Sequence, residues 1–124
     1  MQVYKTKGFA RFARREGIGD GKLCDAVARA ERGLIDADLS GGVIKQRLPR
    51  DGQGRSGGYR LIIFYRTATR SIFIDGFAKS DEDNIGNDDL KLFRELAFEY
   101  LAYRPAQVKA LLKAGEWIEV RCDA

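Results

Sequence analysis

Val43-Ile44-Lys45-Gln46-Arg47-Leu48, then Gly57-Gly58-Tyr59-Arg60-Leu61-Ile62-Ile63-Phe64-Tyr65-Arg66, then Ser71-Ile72-Phe73-Ile74-Asp75-Gly76-Phe77: these three runs in the middle of the chain decide its fold. The first alternates, so Lys45 and Arg47 share one face of a strand while Ile44 and Leu48 share the other. The second and third are apolar, β-branched or aromatic and are joined by a short polar turn, which is a hairpin signal. Strands that are apolar on both faces need cover on both sides. Together the runs predict a three-strand antiparallel meander that other elements must sandwich.

The cover is found on either flank. Val3 to Thr6 reads as a short strand, and Phe9, Phe12 and Ala13 recur at helical spacing until Gly17 and Gly19 interrupt them. Asp20 is placed to N-cap a second helix carrying Leu23, Ala26, Val27, Ala30 and Leu34, with Gly33 near its end. A helical hairpin thus precedes the meander. After it, Asp88 and Asp89 mark the first turn of a long helix with Leu90, Phe93, Ala97, Tyr100 and Leu101 as its apolar stripe, ending before Pro105. Residues 106–121 suggest a further helical turn or two around Val108, Leu111 and Leu112, then a strand from Trp117 to Val120. The order is that of an α+β sheet with helices packed on it.

Composition narrows the function classes. The chain has 124 residues, 44% of them hydrophobic, enough for one core and one domain over 1–124. No apolar stretch approaches the roughly 18 to 20 residues that span a bilayer, and Met1 to Lys7 lacks the order of a signal peptide, so a cytoplasmic protein with no membrane partner is expected. The absence of His removes the commonest metal ligand and the commonest base near neutral pH. Cys24 and Cys122 form no Cys-x-x-Cys pair; each reads as a free thiol, Cys24 as part of the core, and nothing in their spacing favours a disulfide. No metal site and no cofactor are expected.

The net charge of +4 is unevenly spread. Residues 42–70 hold Lys45, Arg47, Arg50, Arg55, Arg60, Arg66 and Arg70 against the single acid Asp51, a candidate footprint for phosphate or a charged, solvated strand edge. Residues 71–99 reverse the sign with eight acids against three bases. Pro49 to Gly57, rich in glycine and carrying Arg50 and Arg55, reads as a mobile basic loop.

Three motifs carry a resemblance. Arg32-Gly33-Leu34-Ile35-Asp36-Ala37-Asp38-Leu39, the run Val43 to Leu48 leading into Gly54-Arg55-Ser56-Gly57-Gly58-Tyr59-Arg60, and Gly76-Phe77-Ala78-Lys79-Ser80 together resemble RelE-type toxins of the RelE/ParE superfamily, over about residues 2–103. The resemblance implies a RelE/ParE-like antiparallel sheet with an N-terminal helical hairpin and a C-terminal helix, leaving 106–124 as an extension. It also implies the toxin of a type II toxin-antitoxin module that cuts messenger RNA on the ribosome and is neutralised by a cognate antitoxin. A gyrase-directed, ParE-like toxin and an inactive protein that only binds antitoxin are the alternatives, since fold alone does not fix function.

Cutting RNA by its own 2′-hydroxyl requires a base for that proton, cations on the transition-state phosphate and an acid for the leaving 5′-oxygen. Arginine suits the middle task, because its guanidinium stays charged and forks onto phosphate oxygens. The expected catalytic set is therefore Arg60 and Arg47 on phosphate, with Lys79 and Lys45 for acid and base work. Arg50 and Arg55 are expected to contact ribosomal RNA. An even-numbered turn after Arg66, such as Ala68-Thr69, would set Arg60 opposite Phe77 and leave Lys79 roughly 7 to 8 Å away on the diagonal; an odd one would separate them. The best-known toxins of this kind have a further Arg and a Tyr after that lysine, where this chain has Ser80, Asp81, Glu82 and Asp83. Tyr59, Tyr100 and Tyr103 read as structural.

Overall fold

A computed structural model of the chain describes residues 1–50, 54–78 and 86–122, with the side chains of Arg50 and residues 54–57 outside that description. The elements are β1 (Gln2–Thr6), α1 (Lys7–Glu16), α2 (Asp20–Glu31), β2 (Ala37–Asp38), β3 (Val43–Arg50), β4 (Gly54–Arg66), β5 (Arg70–Ala78), α3 (Asn87–Leu101), α4 (Pro105–Lys113) and β6 (Trp117–Glu119). The six strands form one sheet in the order β2-β3-β4-β5-β1-β6. All neighbours are antiparallel except β1 and β5, which run parallel. This is the α+β architecture that the sequence predicts.

Each face of the sheet has its own core. On one, α1 and α2 contribute Phe9, Phe12, Leu23, Ala26, Val27 and Ala30, which pack on Ile44, Leu48, Tyr59, Leu61, Ile63 and Phe73. On the other, α3 and α4 contribute Leu90, Phe93, Ala97, Leu101 and Val108 over Val43, Ile62, Phe64 and Ile72. Leu61, Ile62, Ile63 and Phe64 are completely buried in succession, as a strand covered on both sides must be. Burying side chains of this size stabilises by about 1.5–3 kcal/mol each, so β4 is the axis of the molecule.

Local chemistry fixes the elements' ends. Thr6 caps α1 by accepting the Phe9 N–H at 3.1 Å, and Gly17 closes it in the left-handed region at φ 70°. Phe12 of α1 lies so near the sheet that a Cβ on Gly76 would sit 2.3 Å from its ring, which accounts for the glycine in Gly76-Phe77-Ala78. Gln46 is fully buried; its amide donates to the carbonyls of Ala26 and Leu34 and accepts the Asp36 N–H at 2.7 Å. One side chain thus ties α2 and the following turn to β3.

Several expectations need correction. Gly19, not Asp20, caps α2; Asp20 sits in the first turn, where its carboxylate takes the Lys5 ammonium at 3.0 Å and the Arg121 N–H at 3.1 Å. Leu34 lies beyond the end of α2 and is 55% exposed. The expected loop at 49–57 is largely strand, since β3 runs to Arg50 and β4 begins at Gly54, with Arg50 paired to Gly54; residues 51–53 lie outside the described set. Pro105 starts α4 as its first residue, the position in a helix that tolerates proline. Cys24 and Cys122 are not free thiols: they form a disulfide with 5.4 Å between Cα atoms. Pairing of β6 with β1 and the Arg121–Asp20 contact carry the chain end to α2, a closure that a separation of 98 residues conceals.

The turn of the β4–β5 hairpin is the most instructive difference. Arg66 pairs with Arg70, so the turn is Thr67-Ala68-Thr69, three residues with Ala68 left-handed at φ 59°. An odd turn by itself shifts the register by one and would separate Arg60 from Phe77. A β-bulge between Asp75 and Phe73, opposite Ile62 and Ile63, adds one residue to β5 and restores it. Arg60 therefore faces Phe77 after all, for a different reason than supposed.

Candidate functional site

Arg47 of β3 stands directly across from Arg60 of β4, which in turn stands across from Phe77 of β5. Residues directly opposite share a face, so the two guanidinium groups project to the same side, the α3 side that holds Ile62, Phe64 and Phe77. Lys45 lies two residues before Arg47 on the same face, opposite Ile62. Three cations expected to act together are thus brought together by pairing alone. Lys79 lies outside the described residues, as do the side chains of Arg50 and Arg55; the backbones of those two arginines belong to β3 and β4.

Electrostatically this row is unusual. Like charges directly opposite on a sheet destabilise it, yet no described carboxylate forms an ion pair with Lys45, Arg47 or Arg60. Arg60 is only 8% exposed, and among the described residues its guanidinium makes one long contact, 3.5 Å from Nη1 to the carbonyl of Tyr59. Buried guanidinium groups ordinarily gather several acceptors. The Arg47 side chain is exposed. Spare donor capacity on a concentrated positive face is what an anionic ligand would use.

The backbone of Arg47 is held firmly. Its N–H donates to Asp36 Oδ2 at 2.7 Å, its carbonyl accepts from Arg29 Nη2 at 2.5 Å, and Arg29 Nη1 bonds Asp36 at 3.2 Å. Burial acts to raise the Asp36 pKa, but the Arg47 N–H and the Arg29 guanidinium outweigh it and hold the carboxyl below its usual range. The pair seals β3 where β2 has ended, because β2 matches only Ile44 and Lys45. Asp36 lies in the first quoted motif, and its role there is to fix the strand that carries Arg47.

Two members of the basic stretch belong to the structure instead. Arg70, 6% exposed, donates to the carbonyls of Tyr100 at 3.0 Å and Tyr103 at 2.9 Å and to Gln2 Oε1 at 3.1 Å. Arg66 donates to the carbonyl of Leu101 at 3.1 Å. Both satisfy carbonyls left over at the C-terminal end of α3, where the helix dipole favours cations. They are therefore removed from the candidate phosphate footprint.

The tyrosines divide as expected. Tyr59 points to the α1 face, meets Phe12 edge-on at 5.8 Å and bonds Glu16 Oε1 at 2.9 Å. Tyr100 and Tyr103 stack at 5.5 Å, and both rings contact Trp117. The hydrogen bond to Glu99, with burial second, pushes the Tyr103 pKa up to about 12, poor tuning for acid chemistry near neutrality.

One residue on this face was not foreseen. Asp75 pairs with Ile62 and so joins the side of Lys45 and Arg60. Loss of water around its carboxylate, then the charge of Asp89 on α3, raise its pKa above the ordinary value against the lowering effect of the Gly76 N–H. With a three-residue turn, plain alternation from Ile72 and Phe73 would send Asp75 to the opposite face, and the bulge returns it to the face that the even-turn register, with Phe77 opposite Arg60, also implies. A groove of about 440 Å³ lined by Lys22, Asp25, Arg29, Arg32, Leu48 and Pro49 lies against α2 and contains none of these residues.

A family model described as "RelE toxin of RelE / RelB toxin-antitoxin system" matches residues 1–120. The chain belongs to that family. The match extends past the residue 103 limit of the sequence resemblance and takes in α4 and β6. No curated protein matches the chain.

Proposed function

Proceeding from membership of the RelE toxin family, we propose that this toxin is a ribosome-dependent messenger RNA endonuclease. The observation that carries the reading is the Arg47–Arg60 cross-strand pair with Lys45 beside it, gathered on one face without a carboxylate partner among the described residues. Arg60 and Arg47 bind the scissile phosphate and stabilise the charge that develops on it. Lys45 and Lys79 serve proton transfer, and Arg50 and Arg55 contact the ribosomal RNA backbone. The 2′-oxygen bonds to phosphorus, the P–O5′ bond breaks, and the products are a 2′,3′-cyclic phosphate and a 5′-hydroxyl. This chemistry calls for no cofactor. The ribosome supplies the bent codon, so naked RNA is a poor substrate. The cognate antitoxin covers the basic face with acidic side chains, ordering as it binds, and the setting is the cytoplasm.

The test is cleavage of a defined messenger on purified ribosomes, with end-group analysis and naked RNA alongside. Ribosome-dependent cuts leaving a cyclic phosphate are expected. An intact messenger at high toxin concentration would refute the reading, and inhibition of gyrase supercoiling by the same preparation would replace it with a ParE-like action.

A further inference from the structure

We propose that Asp75 is the general base of this site, leaving the lysines to act as acids; the assignment rests on the endonuclease reading above. The geometry begins with the bulge in β5. By inserting one residue between the Ile62 and Ile63 pairings, it puts Asp75 opposite Ile62 and so on the face of Arg60 and Lys45. Bulges recur beside active sites because they re-aim a side chain in this way. The Ile62–Asp75 pair is two along from Arg60–Phe77 and the next on the same face, so Asp75 is a diagonal neighbour of Arg60 at roughly 7–8 Å, a spacing that one nucleotide linkage can bridge.

The carboxylate is suitably presented. Asp75 is exposed, and its Oδ1 accepts the Gly76 N–H at 2.9 Å, which fixes the group and leaves Oδ2 without a hydrogen bond among the described residues. Among the described residues the charge that acts on it is that of Asp89 in the first turn of α3, while Arg60 of β4 and Lys45 of β3 share its face of the sheet through strand pairing. Partial loss of water, and then the charge of Asp89, make the carboxylate more basic than an ordinary aspartate against the lowering effect of the Gly76 N–H. A lysine of ordinary pKa, about 10.4, is an ammonium at neutral pH: an available acid but a scarce base. The division of labour follows. Asp75 Oδ2 takes the 2′-hydroxyl proton as the O2′–P bond forms. The P–O5′ bond breaks as a lysine ammonium gives its proton to the leaving oxygen, and Arg47 and Arg60 hold the phosphate oxygens throughout.

Single-turnover cleavage on ribosomes across the mildly acidic to neutral range tests the assignment with wild type, Asp75→Asn and Asp89→Asn, each checked by its unfolding midpoint. Wild-type rate should fall as pH drops through the Asp75 pKa. Asp75→Asn should be slower by about 100-fold or more and lose that limb. Asp89→Asn should keep the plateau rate and shift the limb to lower pH, because removing a negative neighbour lowers the pKa of Asp75. An Asp75→Asn rate near wild type, or a slow variant that keeps the acidic limb, overturns the proposal while leaving the endonuclease intact. An unmoved limb in Asp89→Asn overturns it as well. A wild type that cleaves nothing refutes the endonuclease reading itself, and this assignment with it.

Discussion

Arg60 and Arg70 lie on adjacent strands at nearly equal depth, 8% and 6% exposed, at opposite ends of one hairpin. At the turn end Arg70 bonds the Tyr100 carbonyl of α3, the Tyr103 carbonyl just beyond it and a glutamine. At the open end Arg60 has, among the described residues, one long contact, and another arginine stands directly across from it. Burial therefore does not separate a structural cation from a functional one; the accounting of partners does. A cation whose donors are spent on the protein's own acceptors serves the fold, whereas one whose remaining donors open to solvent, no buried side-chain nitrogen among the described residues being without a partner, is available to a ligand.

The comparison can be broken by exchanging what is lost at each end. The largest effect is expected from Arg47→Ala combined with Arg60→Met, which should slow ribosome-dependent cleavage by at least about 1,000-fold, since each phosphate donor contributes on the order of 100-fold or more. Next comes Arg70→Met, which orphans three acceptors and should cost about 2–4 kcal/mol in denaturant unfolding while the folded fraction cleaves at the wild-type rate. Arg66→Ala removes one exposed cap of α3 and should cost about 1 kcal/mol by the same measurement. Arg60→Met alone should change stability by less than about 1 kcal/mol, because a poorly bonded buried charge gives way to an apolar side chain of similar length.

The smallest effect concerns the seal on β3. The folded pKa of Asp36 is lowered, so its stabilisation is complete above the unfolded carboxylate value, about 3.9, and is lost as pH falls through the lower folded value. Unfolding curves of wild type and Asp36→Asn should differ near neutrality and converge in that acid window. A gap that persists in strong acid would mean that the charge of Asp36 is irrelevant.

These contrasts also show how much was legible beforehand. The meander was legible because Leu61 to Phe64 is apolar on both faces, and the pairing of Arg60 with Phe77 followed from parity. Parity succeeded only because two departures cancelled: a three-residue turn, closed by the left-handed Ala68, and a one-residue bulge beside Asp75. Neither has a glycine to announce it, but the expected pairing of Arg60 with Phe77 already implies that Asp75, two residues before Phe77, shares that face. Partner accounting was equally hidden, since Arg66, Arg70 and Arg60 look alike in a charge count, and only the arrival of the α3 C-terminus beside the turn distinguishes them. Asp36 stood in a quoted motif, but its task depends on β2 being only two residues long. The disulfide depends on the path of the chain end, to which local pattern is blind.

The most direct test of the central claim is a toeprint of one defined messenger on programmed ribosomes, run with wild type, Arg60→Met and Arg70→Met at equal folded concentration. Wild type and Arg70→Met should cut at the codon in the ribosomal A site at equal rates, while Arg60→Met should leave the messenger intact on the same timescale. Equal cutting by Arg60→Met and wild type, or loss of cutting confined to Arg70→Met, would contradict the claim that the open end of the hairpin, where Arg60 lies, is the working one.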